Sequence, residues 1–302
     1  MSLLVTGTIG IDTVETPYGQ GEAVLGGSAS YFAIAAGLMV RPVRLVAVAG
    51  DDIPARYLEI LRREPIDATG LEIRPGSKTF RWKAKYLDDM NERETLCTEL
   101  NVMAEAAPTI PAKFRDSTYV FLANTHPALQ RTFISQLIAP KLIVCDTMNL
   151  WIESAREDLF KTLGLVHGIL LNDSEAKMLT GQNNLILAAR GILQSGPRFV
   201  VIKKGEHGAM LVTRDEVFVI PAYPSTNVKD PTGAGDSFGG GMMGYLASAD
   251  RTDIKALKTA LAYGTSVASI TIEDFSLEAL LAADKKMVDA RLREFKAMLT
   301  FE

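Results

Sequence analysis

The chain has 302 residues, 47% of them apolar, enough to bury a sizeable core as one large α/β domain or two ordinary ones. Its net charge is −4 with both signs well mixed, which argues against broad binding to nucleic acid or an anionic membrane while leaving room for a local basic pocket. Two cysteines, Cys97 and Cys145, without CxxC spacing exclude a zinc ribbon or a disulfide framework and read as reduced thiols.

Met1–Val5 carries no basic leader, and the longest apolar run, Tyr31 to Val40, falls short of the ~20 residues of a spanning helix. The expectation is a soluble, cytoplasmic protein. Leu3 to Gly7 reads as a buried strand, followed by Gly7-Thr8-Ile9-Gly10-Ile11-Asp12. Gly26-Gly27 precedes a small, apolar helix over Ser28–Met39. Val43–Ala49 is a second apolar strand and Ala55–Arg63 an amphipathic helix, so strand and helix already alternate.

Lys78 to Val102 breaks that rhythm. Residues 79–86 alternate in character like a strand with one wet face, Asp88-Asp89-Met90-Asn91 is turn chemistry, and Glu94–Asn101 is extended again. An inserted hairpin is expected here, either a lid over a site or a plain edge hairpin. Four short apolar strands follow at Tyr119–Leu122, Leu142–Cys145, Gly168–Leu171 and Phe199–Ile202. Helical segments fall between them near Ala128–Ile138, Ser154–Leu165 and Ser174–Leu193. Runs apolar on both sides fit a parallel sheet covered on both faces. Met210–Val212 and Val217–Ile220 read as a closing hairpin, and helices dominate from Ala234 onward. No internal repeat or linker splits the chain.

The most informative stretch is Asp230-Pro231-Thr232-Gly233-Ala234-Gly235-Asp236. Phe238, Met242, Met243 and Leu246 then have helical spacing, so a glycine turn sits at a helix N-terminus. Free backbone N–H groups and the helix dipole there attract an anion, and glycine lets it come close. Asp236 in that first turn reads either as a first-turn acid or as a carboxylate facing a nucleophile beside a bound phosphate. Three decoys lie nearby. Gly239, Gly241 and Gly244 fit GxGxxG but fall inside the helix, where close packing explains them. Gly76-Ser77-Lys78-Thr79 lacks the Gly-Lys pair of a P-loop, and the Asn172-Asp173-Ser174 sequon carries no meaning in a cytosolic protein.

The Asp230–Asp236 run with Phe238 and the small residues after it resembles the C-terminal signature of the PfkB, ribokinase-like family of carbohydrate and nucleoside kinases. The likeness extends along nearly the whole chain. It implies a three-layer α/β/α ribokinase-like core with a mostly parallel sheet plus a small β-sheet lid. The chain would be a single domain over 1–302, with lid elements within about 13–25 and 77–103. It implies Asp236 as catalytic base and Gly233, Ala234 and Gly235 as an amide-lined anion hole. It implies substrate contact by Asp12, Gly26 and Gly27, and by Asn124 after the Tyr119–Leu122 strand.

Leu170-Leu171-Asn172-Asp173-Ser174-Glu175 resembles the family's Asn-x-x-Glu, which organises magnesium through its waters; Asn172 and Glu175 equally make a capping box, and both readings can hold. Lys203, where relatives often have threonine, and Gly205 and Gly208 match the nucleotide turn, with Lys203 either a point charge on phosphate or a solvated lysine. His207 reads as a turn residue, and Asp146 as either a turn or a ligand residue. The small residues Gly264–Ser269 match the adenine wall or suit helix packing. Tyr31 and Gly10 stand where relatives often carry asparagine, which weakens a ribose reading. The cofactors implied are ATP and Mg2+, with a monovalent cation left open. The partner is a small-molecule substrate, with a homodimer through the lid left open. The leading expectation is a sugar kinase, followed by a nucleoside kinase on the same fold. A non-catalytic sugar or nucleotide sensor and a dinucleotide-dependent oxidoreductase are the readings from other classes.

Overall fold

The computed structural model describes residues 1–300. Thirteen strands and eleven helices form over them. Nine strands build one sheet. Five begin in the first half or at its end: β1 Leu3–Thr6, β4 Val43–Gly50, β5 Ile66–Arg74, β8 Tyr119–Leu122 and β9 Leu142–Asp146. The others are β10 Gly168–Asn172, β11 Phe199–Lys203, β12 Ala209–Thr213 and β13 Val217–Ile220. The order across the sheet is β13-β12-β11-β10-β9-β8-β1-β4-β5. All neighbours from β11 to β5 pair parallel, and β12 and β13 add an antiparallel edge.

Alternation along the strands divides the core in two. Leu3 and Val5 of β1, Tyr119 and Phe121 of β8 and Val201 of β11 face one side. They pack against α1 (Ser28–Gly37), α8 (Ala234–Ala249) and α9 (Ile254–Thr271). Leu4, Val120, Leu122, Cys145 and Val200 face the other side. They pack against α3 (Pro127–Ile134), α5 (Arg156–Leu163), α6 (Asp173–Thr180) and α7 (Leu185–Leu193). Both faces are thus covered, the condition under which an apolar strand needs no wet side. The remaining helices are α2 (Ala55–Leu61), α4 (Asn149–Ser154), α10 (Glu278–Ala282) and α11 (Lys285–Met298).

One expectation fails in detail, and one strand is absent from the sequence reading. The helical segment 174–193 is two helices. Gly181 ends α6 in the left-handed region at φ 70°, and the Asn184 side chain caps α7 by accepting from the Ile186 and Leu187 amides. The edge strand β5 escapes the sequence pattern because only Ile66 and Gly70 of its nine residues are buried, so its apolar alternation is faint.

The smaller sheet has the order β3-β2-β6-β7, formed by β2 (Gly10–Thr16), β3 (Gly19–Gly26), β6 (Phe80–Tyr86) and β7 (Arg93–Glu99). The pair β2–β3 leaves the main sheet after β1, and β6–β7 leaves it after β5. Both departures are at the carboxyl ends of parallel strands, so the small sheet stands over that edge. Its hinge is tied down at Thr79, whose amide donates to Asp52 Oδ1 at 2.7 Å and whose hydroxyl accepts from the Gly50 amide at 3.1 Å. The Gly239–Gly244 run lies buried in α8: a Cβ on Gly241 would sit 3.0 Å from the Tyr263 carbonyl of α9, so close helix packing is its role. Among the described residues no helix is long and apolar enough to cross a membrane.

Candidate active site

The carboxyl edge of the parallel strands, where ligands of open α/β sheets gather, holds the amino end of α8. The turn before it is built by its own residues. Asp230 is buried and accepts from the Thr232 amide at 2.9 Å and from the Ser276 amide at 3.3 Å, which locks the turn to the α9–α10 connection. Gly233 then sits at φ 73°, and a Cβ there would lie 2.3 Å from the Tyr31 ring. Tyr31 is therefore a buried wedge beneath the turn. The Ala234 amide is turned back onto the Pro231 carbonyl at 3.2 Å, and the first helical bond runs from the Ser237 amide to the Gly233 carbonyl. Among the described residues the N–H groups of Gly233, Gly235 and Asp236 have no protein acceptor. The open donors are thus Gly233, Gly235 and Asp236, with Ala234 closing the turn.

Charges converge on these amides from three strand ends. Lys203 closes β11, and its Nζ lies 3.2 Å from Oδ2 of the buried Asp146 at the end of β9. The same Nζ would be 2.9 Å from a Cβ on Gly235, so the ammonium rests against the glycine turn. Burial opposes its charge, but Asp146, Glu175 and Asp236 outweigh that and raise its pKa. Glu175 accepts from the Asn172 amide at 2.7 Å while Asn172 Oδ1 accepts from the Glu175 amide at 2.7 Å, a reciprocal cap at the start of α6. Burial, opposed by Lys203 and reinforced by Asp146, pushes the Glu175 carboxyl up to about 7. Half-buried Asp236 is likewise raised to about 7, by burial first and by Asp146 second, with Lys203 and Arg93 opposing. A carboxylate poised near neutrality beside open amides can accept a proton from a neutral nucleophile.

Asp12 enters from β2 and is 4% exposed. Its Oδ2 packs on Gly26, where a Cβ would fall 1.9 Å away, and its Oδ1 has no hydrogen-bond partner. Burial raises its pKa to about 7, against the Gly27 amide and with help from Asp230 and Asp236, so the charges of Asp12 and Asp236 are close enough to feel one another. An orphaned buried acceptor needs a donor from outside, which a hydroxylated ligand supplies. In the small sheet Asp12 pairs with Trp82, and Gly10 pairs with Phe80, so two aromatic rings stand beside it. Asn124 lies at the same edge but is engaged by α4: its Oδ1 accepts from Trp151 Nε1 at 2.9 Å and its amide nitrogen meets Met148 Sδ. Gly208 is pressed onto the Ile220 carbonyl and serves the β11–β12 turn, whereas Gly205 meets the lid tip through Asn91.

The sequence reading missed the lid's own contribution. Tyr86 reaches Thr232 Oγ1 at 3.3 Å, and Arg93 acts electrostatically on both Asp236 and Glu175. Their strand alternation was legible, but which face would meet α8 was not. For a metal, the donor set is sparse: among the described residues no group of three or more His, Cys, Asp or Glu could hold one. Glu175 and Asn172 beside an anion turn fit a hydrated Mg2+ held mainly by phosphate oxygens.

The family profile described as "pfkB family carbohydrate kinase" matches residues 2–282. A cytidine kinase of Thermococcus kodakarensis is 31% identical over 252 residues, 81% of this chain and 88% of that protein. A nucleoside kinase of Methanothermobacter thermautotrophicus is 27% identical over 253 residues, 82% of this chain and 78% of that protein. The structure of Burkholderia thailandensis nucleoside kinase in complex with inosine superposes with a TM-score of 0.79 at 20% identity, covering 98% of this chain and 99% of that one.

Proposed function

We infer the course of the reaction from one premise: this chain belongs to the pfkB family of carbohydrate kinases, and it is an ATP-dependent phosphotransferase acting on a hydroxyl of a sugar-like or nucleoside substrate. The reading is that Asp236 is the base. The acceptor hydroxyl loses its proton to Asp236 as its oxygen attacks the γ-phosphorus. The bond from that phosphorus to the β–γ bridging oxygen breaks, and ADP leaves with the electron pair. The open amides of Gly233, Gly235 and Asp236, with Lys203 against the same turn, face the charge on the transferring group. Asn172 and Glu175 would hold Mg2+ through its waters, and the ion would neutralise phosphate charge when bound.

The observation that carries this is the juxtaposition of Asp236, raised to about 7, with unpaired helix-terminal amides and, within electrostatic reach, the orphaned Asp12 acceptor. Asp12, Gly26 and Gly27 would take the sugar hydroxyls, and Gly205 the nucleotide side. For the acceptor we propose a nucleoside. Two relatives that span four fifths of the chain are a cytidine and a nucleoside kinase, and Trp82 and Phe80 beside Asp12 supply flat faces for a base. A free sugar is the second reading, favoured by the family profile's description as a carbohydrate kinase. The whole chain would act as one domain, with the small sheet as lid. The free edge of β7 supports pairing of two lids, which light scattering would read.

The experiment is ADP release with Mg-ATP against nucleosides and free sugars, in potassium and in sodium buffer. A pyrimidine or purine nucleoside is expected to give the highest kcat/KM, and a free sugar giving it instead would overturn the nucleoside assignment. Asp236→Asn should keep nucleotide affinity and lower kcat by about 10²–10⁴-fold; near-normal turnover would remove Asp236 from the role of base.

A further inference from the structure

The lid carries a cation that this reaction scheme leaves without a task. Arg93 opens β7 directly after the turn over 87–92 and pairs in register with Tyr86. Along β6, Ala84 and Tyr86 are buried whereas Lys83 and Lys85 are exposed, so Tyr86 marks the inner face of the lid. Arg93, opposite Tyr86, shares that face. Its guanidinium carbon lies 5.6 Å from the Trp82 ring centroid, and it neighbours the Tyr86 hydroxyl. That hydroxyl is 3.3 Å from Thr232 Oγ1, one residue before Gly233. The guanidinium is therefore braced by an indole and a phenol against the start of the amide-lined turn.

Two further contrasts single it out. Arg81 and Lys85, on the outer face, are paired with Asp52 at 2.7 Å and Glu15 at 2.6 Å. Among the described residues Arg93 forms no ion pair within 4 Å, although its charge is felt at both Asp236 and Glu175. Exposed and without an ion pair, the guanidinium lies within electrostatic reach of an anion held near those two carboxylates. The lid tip is also docked on the far side: Asn91 Nδ2 donates to Glu206 Oε1 at 3.2 Å, beside Gly205. Arg93, two residues further along the same hairpin, is held by the same docking.

We propose that Arg93 is a lid-borne catalytic residue that contacts the terminal phosphoryl group of the nucleotide, opposite Lys203, and stabilises its equatorial oxygens during transfer. This rests on the kinase reading of the same cavity. A guanidinium suits the task because its planar fork matches two phosphoryl oxygens at once. Carried on the lid, it reaches the phosphate only when the acceptor is enclosed, so transfer to water is disfavoured until then.

Two measurements test it. In steady-state assays with Mg-ATP and the best acceptor, Arg93→Ala is expected to lower kcat by about 10²–10³-fold with the acceptor KM changed less than about threefold. Millimolar guanidinium should restore part of that loss in Arg93→Ala and none in the wild type. Independently of any acceptor, titration calorimetry with ADP and a non-hydrolysable ATP analogue should show that the wild type favours the analogue and that Arg93→Ala loses that preference. A kcat for Arg93→Ala within threefold of wild type, or an unchanged analogue preference, overturns the proposal while the kinase reading stands. A wild type that binds neither nucleotide removes that reading and this proposal together.

Discussion

Three acidic side chains, Asp12, Glu175 and Asp236, are raised to about 7 by burial first, and each has a different set of charged neighbours that mutation can separate. Asp236 is raised by burial and by Asp146 and lowered by Lys203. In its proposed role as base it must be ionised, so kcat/KM should fall as pH drops through about 7. Asp146→Asn should move that acid limb down, since it removes a negative neighbour, and Lys203→Met should move it up, since it removes a positive one. A limb that stays in place in both variants would show that another group titrates. Asp12 tests burial itself. Its carboxyl ionises near 3.8 when unfolded and near 7 when folded. Folding therefore pays no ionisation penalty below the unfolded value, and stability is lost as pH rises through the folded one. Asp12→Asn should accordingly stabilise the protein by roughly 1–3 kcal/mol at pH 8 and by nothing near pH 4, while raising the acceptor KM. Denaturant melts at the two pH values read the difference. Lys203 shows what a residue alone conceals: its lysine was visible in the sequence, but its position against Gly235 and Asp146 follows from three strands ending at one level.

At the scale of elements, the glycine turn before α8 and the lid are the two parts that make a site out of a sheet edge. Gly233 combines φ 73° with a ring only 2.3 Å from any Cβ placed there. Gly233→Ala should cost about 1–3 kcal/mol and displace the open amides, seen as a lower melting temperature together with lost nucleotide affinity. Loss of neither would mean that Tyr31 yields easily. The Asn172–Glu175 pair illustrates why local pattern can be read without tertiary knowledge: a capping box needs only residues three apart, and it forms as its spacing indicated. The split between α6 and α7 was equally local, written in Gly181 and Asn184, and was passed over because apolar periodicity continues across it. The inner face of β6–β7 is the opposite case. Alternation tells that Tyr86 and Arg93 share a side, but only pairing of β6 with β2 turns that side toward Asp12 and α8.

For the molecule as a whole, a large sheet covered on both faces carries a small sheet whose outer strand β7 is exposed along its entire length. Local opening is therefore expected first in the latter. Trypsin should cut first at Lys83, Lys85 or Arg93, leaving the flanking halves associated, and nucleotide with acceptor should slow that cleavage several-fold, as read by intact-mass spectrometry. First cleavage in α8 or α9 would contradict this division. The sequence by itself determined the parallel sheet, its covered faces, the glycine turn that opens α8 and the inserted hairpin. Those depend on periodicity and on short-range spacing, which neighbouring residues impose on one another. Tertiary structure alone decided that Lys203 meets Asp146, that Tyr31 wedges the turn, that Asn124 is engaged by α4 and that the charge of Arg93 is felt at Asp236 and Glu175. Each of those joins segments tens of residues or more apart, and their meeting is settled by strand order and packing of the whole chain.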